Sequence, residues 1–293
     1  MISFSVVIPA KNEAPTIEKV VRATIKLPEC SEVIVVNDGS SDDTGKIASD
    51  AGARVISHPY SKGNGASVKA GARAATEDVI VFMDGDGQHL AEDIPRLLNK
   101  LADGFDLVVG ARQSGSQASI GRGVANKFYN RLASYMTGHK VEDLTSGFRA
   151  VRRKKFLEFL NLLPNGFSYP TTSTMAFFRA GYSVGYLAIH ASKRVGKSHI
   201  RPIQDGVRFL LIIFKIGTLY SPLKMFLPIA LVLFMLGSGY YGYTFHYFGR
   251  FTNMSALLFT TSLIVFLVGL VSEQITALMY SGGDKDIDKD HKG

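Results

Sequence analysis

The chain has 293 residues, of which 46% are apolar and 20% are charged, and its formal net charge is +8. These proportions are typical of a folded chain and exclude a largely disordered one. The single cysteine, Cys30, excludes an intrachain disulfide and fits a reducing compartment. Because no basic segment followed by a long apolar core opens the chain, we expect no cleavable signal peptide.

Most of the positive charge lies in two segments. Residues 110–155 carry ten lysines and arginines against two acidic residues, and residues 193–224 carry seven against one. Basic clusters beside apolar segments favour anionic lipid headgroups or phosphorylated substrates as partners. No nucleic-acid-binding motif accompanies the charge, so nucleic acid is not an expected partner.

Short apolar runs alternate with helical patterns over the first 111 residues. The predicted strands are 3–10, 32–36, 54–57, 79–83 and 107–111, and the predicted helices are 14–27, 41–51, 66–75 and 91–102. This alternation predicts an α/β fold with a mostly parallel sheet that helices cover on both faces. Ligands of such sheets bind beyond the carboxyl ends of the strands, so a nucleotide is a reasonable ligand. However, Gly63-Asn-Gly65 lacks the third glycine of a dinucleotide fingerprint, which argues against a dehydrogenase.

Acidic residues follow three of the predicted strands. Glu13 follows the first strand, Asp38 the second, and Asp84 and Asp86 the fourth. Since Asp84 and Asp86 alternate, their carboxylates can share a face and repel each other unless a cation lies between them. A hard divalent ion that also holds the phosphates of a substrate fits this pair. A polar turn after a core strand is the alternative interpretation.

The pattern changes after residue 111. Residues 113–119 are polar and small and predict a loop, whereas residues 122–136 have helical spacing and carry Arg122, Lys127 and Arg131. A basic helix start at 152–155, a strand at 183–189 and a basic loop at 193–199 are predicted to follow.

The last third of the chain is predicted to associate with a membrane. Residues 209–219 are apolar beside Arg208 and Lys215, which predicts a helix at a membrane surface. Residues 225–249 and 251–272 contain no Asp, Glu, Lys or Arg, and each stretch exceeds the ~20 residues that span a bilayer. We therefore predict a helical hairpin, and the positive-inside rule places the large domain and the C-terminal tail in the cytoplasm.

These segments predict three parts of the chain. An α/β domain covers residues 1–204, and residues 205–283 form a juxtamembrane helix and two transmembrane helices at about 225–248 and 254–279. A charged, disordered tail covers residues 284–293.

Four motifs, each at a predicted loop, carry a family resemblance. They are Pro9-Ala-Lys-Asn-Glu13, Asn37-Asp-Gly-Ser40, Asp84-Gly-Asp-Gly-Gln-His89 and Thr145-Ser-Gly-Phe-Arg149. In this order they resemble the family 2 glycosyltransferases, especially the branch of dolichol-phosphate mannose synthases and bacterial polyprenyl-phosphate glucosyltransferases. The resemblance implies a GT-A fold and inverting transfer of a sugar from a nucleotide-sugar, of the UDP-glucose or GDP-mannose type, to a polyprenyl phosphate. It also implies Mg²⁺ or Mn²⁺ as cofactor.

The resemblance further implies site residues. The implied catalytic residues are Asp84, Asp86, Arg112 and Arg122, the two arginines serving the acceptor phosphate, and the implied metal ligands are Asp84, Asp86 and Gln88. The implied nucleotide-sugar contacts are Pro9, Lys11, Glu13, Val36, Asp38, Asp84, Gly85, Asp86, Lys193, Arg194, Lys197 and Ser198.

Several of the prominent residues have simpler interpretations. Arg112 could form a local ion pair, Arg149 could pair with Asp143, Asn12 could cap the first helix, and His89 could cap or pack.

Two other functions are alternatives to transfer onto a polyprenyl phosphate. One is a transferase with another lipid or polysaccharide acceptor, and the other is a non-catalytic membrane scaffold. The chain has no tryptophan, which argues against the Gln-x-x-Arg-Trp motif of processive enzymes. Intact acidic residues after the strands argue against a decayed scaffold. A homo-oligomer is compatible with the sequence.

Overall fold

The computed structural model describes residues 2–112, 120–166, 168–190, 218 and 220–281. The chain divides into two compact units, Met1–Arg201 and Pro202–Gly293. Several predicted features lie outside the described residues: the polar loop at 113–119, the basic loop at 193–199, nearly all of the surface helix at 209–219, and the tail at 284–293.

Within the described residues, the first unit is a seven-stranded sheet flanked by helices. The strands are β1 (Phe4–Ala10), β2 (Cys30–Asn37), β3 (Arg54–Ser57), β4 (Val79–Phe82), β5 (Leu107–Arg112), β6 (Arg149–Arg152) and β7 (Val184–Ile189). The helices are α1 (Ile17–Ile25), α2 (Thr44–Asp50), α3 (Asn64–Ala74), α4 (Ile94–Ala102), α5 (Ile120–Thr137), α6 (Arg153–Glu158) and α7 (Tyr169–Arg179). The strand order is β3-β2-β1-β4-β6-β5-β7, and β6 runs antiparallel to both neighbours. The predicted α/β fold with a mostly parallel sheet is confirmed.

The sequence analysis did not predict β6 and α7. Strand β6 reads Arg-Ala-Val-Arg, and two apolar residues form no recognisable run. Helix α7 is rich in threonine, serine and aromatic residues, which are modest helix formers. Its residues 169–177 are all buried, so the helix has no polar face and no amphipathic period.

Close packing places α3 directly on one face of the sheet. A Cβ atom at Gly71 would lie 2.2 Å from Cγ1 of Val7 and 3.3 Å from Cγ2 of Val36. Only glycine, which has no Cβ, permits this approach of the helix to β1 and β2. On the opposite face, Val6 and Ile8 of β1 join the main core with residues of α1 and α4.

The topology brings several chain segments to one edge of the sheet, which we call the carboxyl edge. The parallel strands β1, β2, β4 and β5 end there, and the antiparallel β6 begins there. Arg149, the first residue of β6, is paired with Phe82 of β4 and Val109 of β5. Residues that follow β4 and residues that precede β6 therefore meet at this edge.

Asn12 connects two loops of the carboxyl edge. Its φ is 56°, in the left-handed region, and its Oδ1 accepts a hydrogen bond from the N–H of Ser41 at 2.8 Å. Its own N–H donates to Oγ of Ser40 at 3.0 Å. The interpretation of Asn12 as a helix cap is wrong, because α1 begins at Ile17 after Thr16 as the N-cap residue.

The second unit contains a hairpin of two helices, α8 (Pro222–Phe248) and α9 (Asn253–Ser281). Each helix is long and apolar enough to cross a membrane, as predicted. The carboxylate of Glu273 accepts hydrogen bonds from Oγ of Ser221 at 3.3 Å and the N–H of Leu223 at 3.2 Å. Glu273 thus satisfies polar groups at the start of α8, which have no partner inside that helix.

Candidate active site

The carboxyl edge carries the turn Asp84–His89, which we call the carboxylate turn and which follows β4. Oγ1 of Thr16 donates to the carbonyl of Gly85 at 2.7 Å, which ties the turn to the start of α1. Oδ1 of Asp86 accepts the backbone N–H two residues further on at 3.1 Å. Asp84 and Asp86 are both half-buried, so the turn presents its two carboxylates at the edge of the sheet.

Asp84 lies between the carboxylate turn and the residues that lead into β6. A Cβ atom at Gly147 would come within 2.9 Å of its Oδ2, and Nε2 of His89 lies 3.6 Å from the same oxygen. Burial alone would raise the pKa of Asp84, but His89 and the charges of Arg112 and Arg149 outweigh it and lower the pKa below its usual range. Asp84 is therefore ionised at neutral pH, with 36% of its side chain exposed.

His89 packs against Phe148, in agreement with the simpler interpretation that the sequence allowed, and it also faces Asp84. Its ring stacks on Phe148 with centroids 4.9 Å apart, and the residue is only 6% exposed. Nδ1 of His89 is buried without a hydrogen-bond partner among the described residues. The stacked ring fixes Nε2 on the side of the Asp84 carboxylate.

Arg112 forms a two-pronged ion pair with Asp143. Nε and Nη2 donate to the two carboxylate oxygens at 2.8 and 3.0 Å, and Nη2 also donates to Oγ1 of Thr145 at 2.6 Å. Burial would raise the pKa of Asp143, but the hydrogen bonds and charge of Arg112 lower it below its usual range. The local ion pair that the sequence offered for Arg112 is thus present, and 24% of the arginine side chain stays exposed.

The proposed ion pair between Arg149 and Asp143 is wrong within the described residues, because Arg112 takes both oxygens of Asp143. Arg149 is fully buried. Its Nη1 donates to the carbonyl of Pro170 at 3.0 Å and to Oγ of Ser173 at 2.7 Å. Arg149 therefore connects the start of β6 to α7 and places a buried positive charge beneath the carboxyl edge.

Asp38 organises the loop that follows β3. Its Oδ1 accepts from Nδ1 of His58 and the N–H of Lys62, both at 2.8 Å. Its Oδ2 accepts from Oγ of Ser61 at 2.8 Å and the N–H of Gly63 at 2.9 Å. Burial opposes ionisation, but these four hydrogen bonds outweigh it and lower the pKa of Asp38 to about 2. Four bonds fill the acceptor sites of a carboxylate, so the side chain is committed to this loop.

The loop that Asp38 organises lines a polar cavity of about 510 Å³. Its wall carries the basic side chains of Lys62, Lys69 and Arg73. Sequence analysis did not single out these residues, because they come from a turn and from α3 and only the fold brings them together.

Replacing Asp38 by asparagine is expected to lower the free energy of unfolding at pH 7 by about 2 kcal/mol or more. An amide accepts through one oxygen and turns an NH₂ group toward donors. The folded pKa of about 2 lies below the ordinary value of 3.8, so this stabilisation is complete above the ordinary value and is lost as the pH falls toward 2. Thermal melting of both proteins between pH 7 and pH 2 should show the difference shrinking on acidification. Asp43→Asn, at an exposed position, is the control, and a pH-independent difference would contradict the assignment.

The remaining predicted nucleotide contacts differ from one another in how far they are exposed to solvent. Pro9 and Glu13 are half-buried and Lys11 is exposed at the end of β1. Val36 is fully buried, so only its backbone could meet a ligand. The basic loop residues Lys193, Arg194, Lys197 and Ser198 lie outside the described residues, and so does the side chain of Arg122.

The carboxylate turn fits a divalent ion that brings further ligands with it. Among the described residues, no group of three or more His, Cys, Asp or Glu side chains could hold a metal ion. Asp84 and Asp86 supply hard oxygen ligands, and the half-buried Gln88 supplies an amide on the same turn. Mg²⁺ in proteins is commonly held by one or two carboxylates together with substrate phosphates. The donor set therefore suits an ion that arrives with a diphosphate.

Two family models match the chain. One, described as glycosyl transferase family 2, matches residues 5–160, and the other, described as the GtrB C-terminal hairpin, matches residues 221–278. The first covers the carboxylate turn and β6, and the second covers α8 and most of α9.

Three relatives are similar to this chain over 66% to 92% of its length. Glycosyltransferase AglJ of Haloferax volcanii is 29% identical over 92% of this chain and 92% of its own length. The dolichyl-phosphate hexose transferase of the same organism is 30% identical over 69% of this chain and 89% of its own length. The undecaprenyl-phosphate 4-deoxy-4-formamido-L-arabinose transferase of Klebsiella pneumoniae is 32% identical over 66% of this chain and 61% of its own length.

A solved structure shares the fold. Glucosyl-3-phosphoglycerate synthase from Mycobacterium tuberculosis, crystallised with Mn²⁺, UDP-glucose and phosphoglyceric acid, aligns with a TM-score of 0.60 at 24% sequence identity. The alignment covers 73% of this chain and 78% of that one. The predicted GT-A architecture of the sheet is thereby confirmed.

Proposed function

This chain belongs to glycosyl transferase family 2, and from that premise we propose that it transfers a sugar from a nucleotide-sugar to a polyprenyl phosphate. The observation that carries the proposal is the carboxyl edge, where the carboxylate turn carries Asp84 and Asp86, and where the charge of Arg112, which is paired with Asp143, contributes to lowering the pKa of Asp84. Relatives named as acting on dolichyl and undecaprenyl phosphate support this acceptor.

On the donor side, we assign Pro9, Lys11 and Glu13, the backbone of Val36 and the loop held by Asp38 to the nucleotide. The carboxylate turn would hold Mg²⁺ or Mn²⁺ through Asp84 and Asp86, with Gln88 beside them. When bound, the ion neutralises charge on the departing diphosphate. We assign the basic residues of the 193–199 loop to the same diphosphate. We propose that the donor is a nucleotide-sugar of the UDP-glucose or GDP-mannose type.

On the acceptor side, the chemistry needs no general base. A phosphate monoester has a second pKa near ~6 and is already largely ionised at neutral pH. One of its oxygens attacks the anomeric carbon as the bond to the diphosphate breaks, the electron pair leaves with the nucleoside diphosphate, and the anomeric configuration inverts. The exposed part of Arg112, assisted by Arg122, positions the acceptor phosphate, because a guanidinium fork matches phosphate oxygens.

The hairpin of α8 and α9 supports a position in the cell membrane. We propose that both helices span the bilayer and that the catalytic unit lies on the cytoplasmic side, since residues 193–224 carry a strong positive excess. The acceptor phosphate of a membrane lipid would then be available on the side where nucleotide-sugars are made.

A donor screen with the purified full chain tests this function. The protein in lipid nanodiscs is incubated with UDP-glucose, GDP-mannose and related donors, Mg²⁺ or Mn²⁺, and a short polyprenyl phosphate, and products are identified by mass spectrometry. A polyprenyl-phosphate-sugar is the expected product. Transfer only to a glycan acceptor would favour the polysaccharide alternative, and neither transfer nor donor hydrolysis with any donor would favour the scaffold.

Gly147→Ala is expected to reduce the transfer rate by about 10²-fold with little change in thermal stability. The new Cβ would come within 2.9 Å of Oδ2 of Asp84, and the group that must yield is the free end of that carboxylate. Initial rates and melting temperatures are measured together. Gly239→Ala in α8, where a Cβ meets nothing within 4 Å, is the matched control. Unchanged turnover by Gly147→Ala would show that the position of the Asp84 carboxylate does not matter.

A further inference from the structure

Helix α5 exposes two large aromatic side chains to solvent. Phe128 is 58% exposed and Tyr135 is 60% exposed, although most large apolar residues of the first unit are buried. They are seven positions apart in the sequence, which is about two helical turns, so both lie on one face roughly 10 Å apart. Arg131 lies between them on that face, and Lys127 adjoins Phe128, both exposed. We call these four residues the aromatic-basic face.

The orientation of this face is fixed by the other side of α5. Tyr129, Ala133 and Met136 are buried, with exposures of 3%, 1% and 1%, and α5 packs against α7. The helix therefore cannot turn its aromatic residues inward without exposing this buried set. The sequence of α5 also contains no aspartate or glutamate, so nothing on the helix itself neutralises Lys127 and Arg131.

We propose that the aromatic-basic face docks on the surface of a bilayer that contains anionic lipids. Aromatic side chains favour the boundary between headgroups and acyl chains, and lysine and arginine on the same helix are attracted to anionic headgroups. A bilayer is favoured over a protein partner because the same chain carries a hairpin apolar enough to cross one.

Docking would have a consequence for the acceptor side, and this step rests on the proposed function. Only the seven residues 113–119 separate Arg112 at the end of β5 from the start of α5. A helix held at the headgroups would therefore keep Arg112 within roughly 30 Å of the start of that helix, which is the most that this length of chain can span.

The lack of tryptophan in the chain makes a direct test possible. Phe128→Trp and Tyr135→Trp each introduce a single reporter, and Tyr60→Trp, at a tyrosine that is 67% exposed in the loop after β3, is the matched control. The full-length variants are reconstituted into vesicles containing phosphatidylglycerol, with or without brominated acyl chains. Tryptophan at 128 and at 135 is expected to be quenched by about half or more, with blue-shifted emission, whereas the control is not quenched.

A charge variant tests the electrostatic part. Adding Lys127→Glu and Arg131→Glu to Phe128→Trp is expected to reduce quenching about twofold or more, and melting temperatures verify that the protein is folded. Water-like emission without quenching at both positions would overturn the proposal. Emission that is blue-shifted but unquenched, and that depends on protein concentration, would also overturn it, because the face would then contact a second copy. Since no substrate is present, these results are independent of whether the proposed transfer reaction is correct.

Discussion

Replacing Asp86 by asparagine is expected to lower the rate of sugar transfer by about 10²- to 10³-fold while leaving the fold intact. Asp86 is half-buried on the carboxylate turn. Asparagine has nearly the same shape as aspartate, so the substitution removes the charge of the side chain and keeps its size. An amide is a poorer ligand than a carboxylate for a hard divalent ion, and the charge on the departing diphosphate would be less well balanced. Initial rates, thermal melting and divalent-ion titrations are measured on the same preparations.

The control for this variant is Asp103→Asn, which removes the same charge at an exposed position after α4. It should leave both turnover and melting close to those of the parent protein. The assignment of Asp86 as a metal ligand would be wrong if the folded Asp86→Asn protein turned over normally and still required the ion.

The same titrations test how the ion is held. Because the described residues contain no cluster of three ligating side chains, Mn²⁺ alone is expected to bind weakly. Addition of the nucleoside diphosphate should tighten binding, because its oxygens complete the ligand set. Tight binding of Mn²⁺ without nucleotide would show that the protein supplies more ligands than Asp84, Asp86 and Gln88.

Much of the fold could be predicted from the sequence because its central strands are buried on both faces. Strand β4 is a continuous apolar run and β1 has one polar residue, Ser5, which is typical of parallel strands covered by helices. Glu13, Asp38 and Asp84 each lie within three residues after the end of a strand, which placed acidic groups at one edge of the sheet. The hairpin was equally predictable, since a long uncharged segment has few alternatives to a membrane-spanning helix.

The side-chain partners at the site could not be predicted in the same way. The insertion of β6 between β4 and β5 brings Gly147 against Asp84 and Asp143 against Arg112, across separations of 63 and 31 residues. A four-residue strand with two arginines gives no periodic signal from which that insertion could be inferred. The sequence therefore offered Asp143 as one alternative partner of Arg149 and a local ion pair for Arg112, but it did not indicate that Arg112 and Asp143 pair with each other.

Replacing Arg112 by lysine is expected to reduce transfer by about tenfold or more, since one charge-assisted hydrogen bond contributes ~1.5–3 kcal/mol. Lysine keeps the charge but cannot reproduce the fork that contacts both oxygens of Asp143. Donor binding should change little, because the diphosphate is assigned to the carboxylate turn and the 193–199 loop. The measurements are calorimetric binding of the nucleotide-sugar with the divalent ion, and initial rate as a function of polyprenyl-phosphate concentration.

Asp143→Asn separates an acceptor contact from a purely structural ion pair. If Arg112 acts only through the pair, the two single variants and the double variant should lose similar activity and stability, because each breaks the same interaction. If Arg112 also holds the acceptor phosphate, Arg112→Lys should raise the half-saturating acceptor concentration by about tenfold, and Asp143→Asn should raise it much less, since the guanidinium remains. If Arg112→Lys weakens donor binding and leaves the half-saturating acceptor concentration unchanged, Arg112 contacts the donor and not the acceptor. Equal effects of both single variants on acceptor dependence would leave Arg122 as the better candidate for the acceptor phosphate.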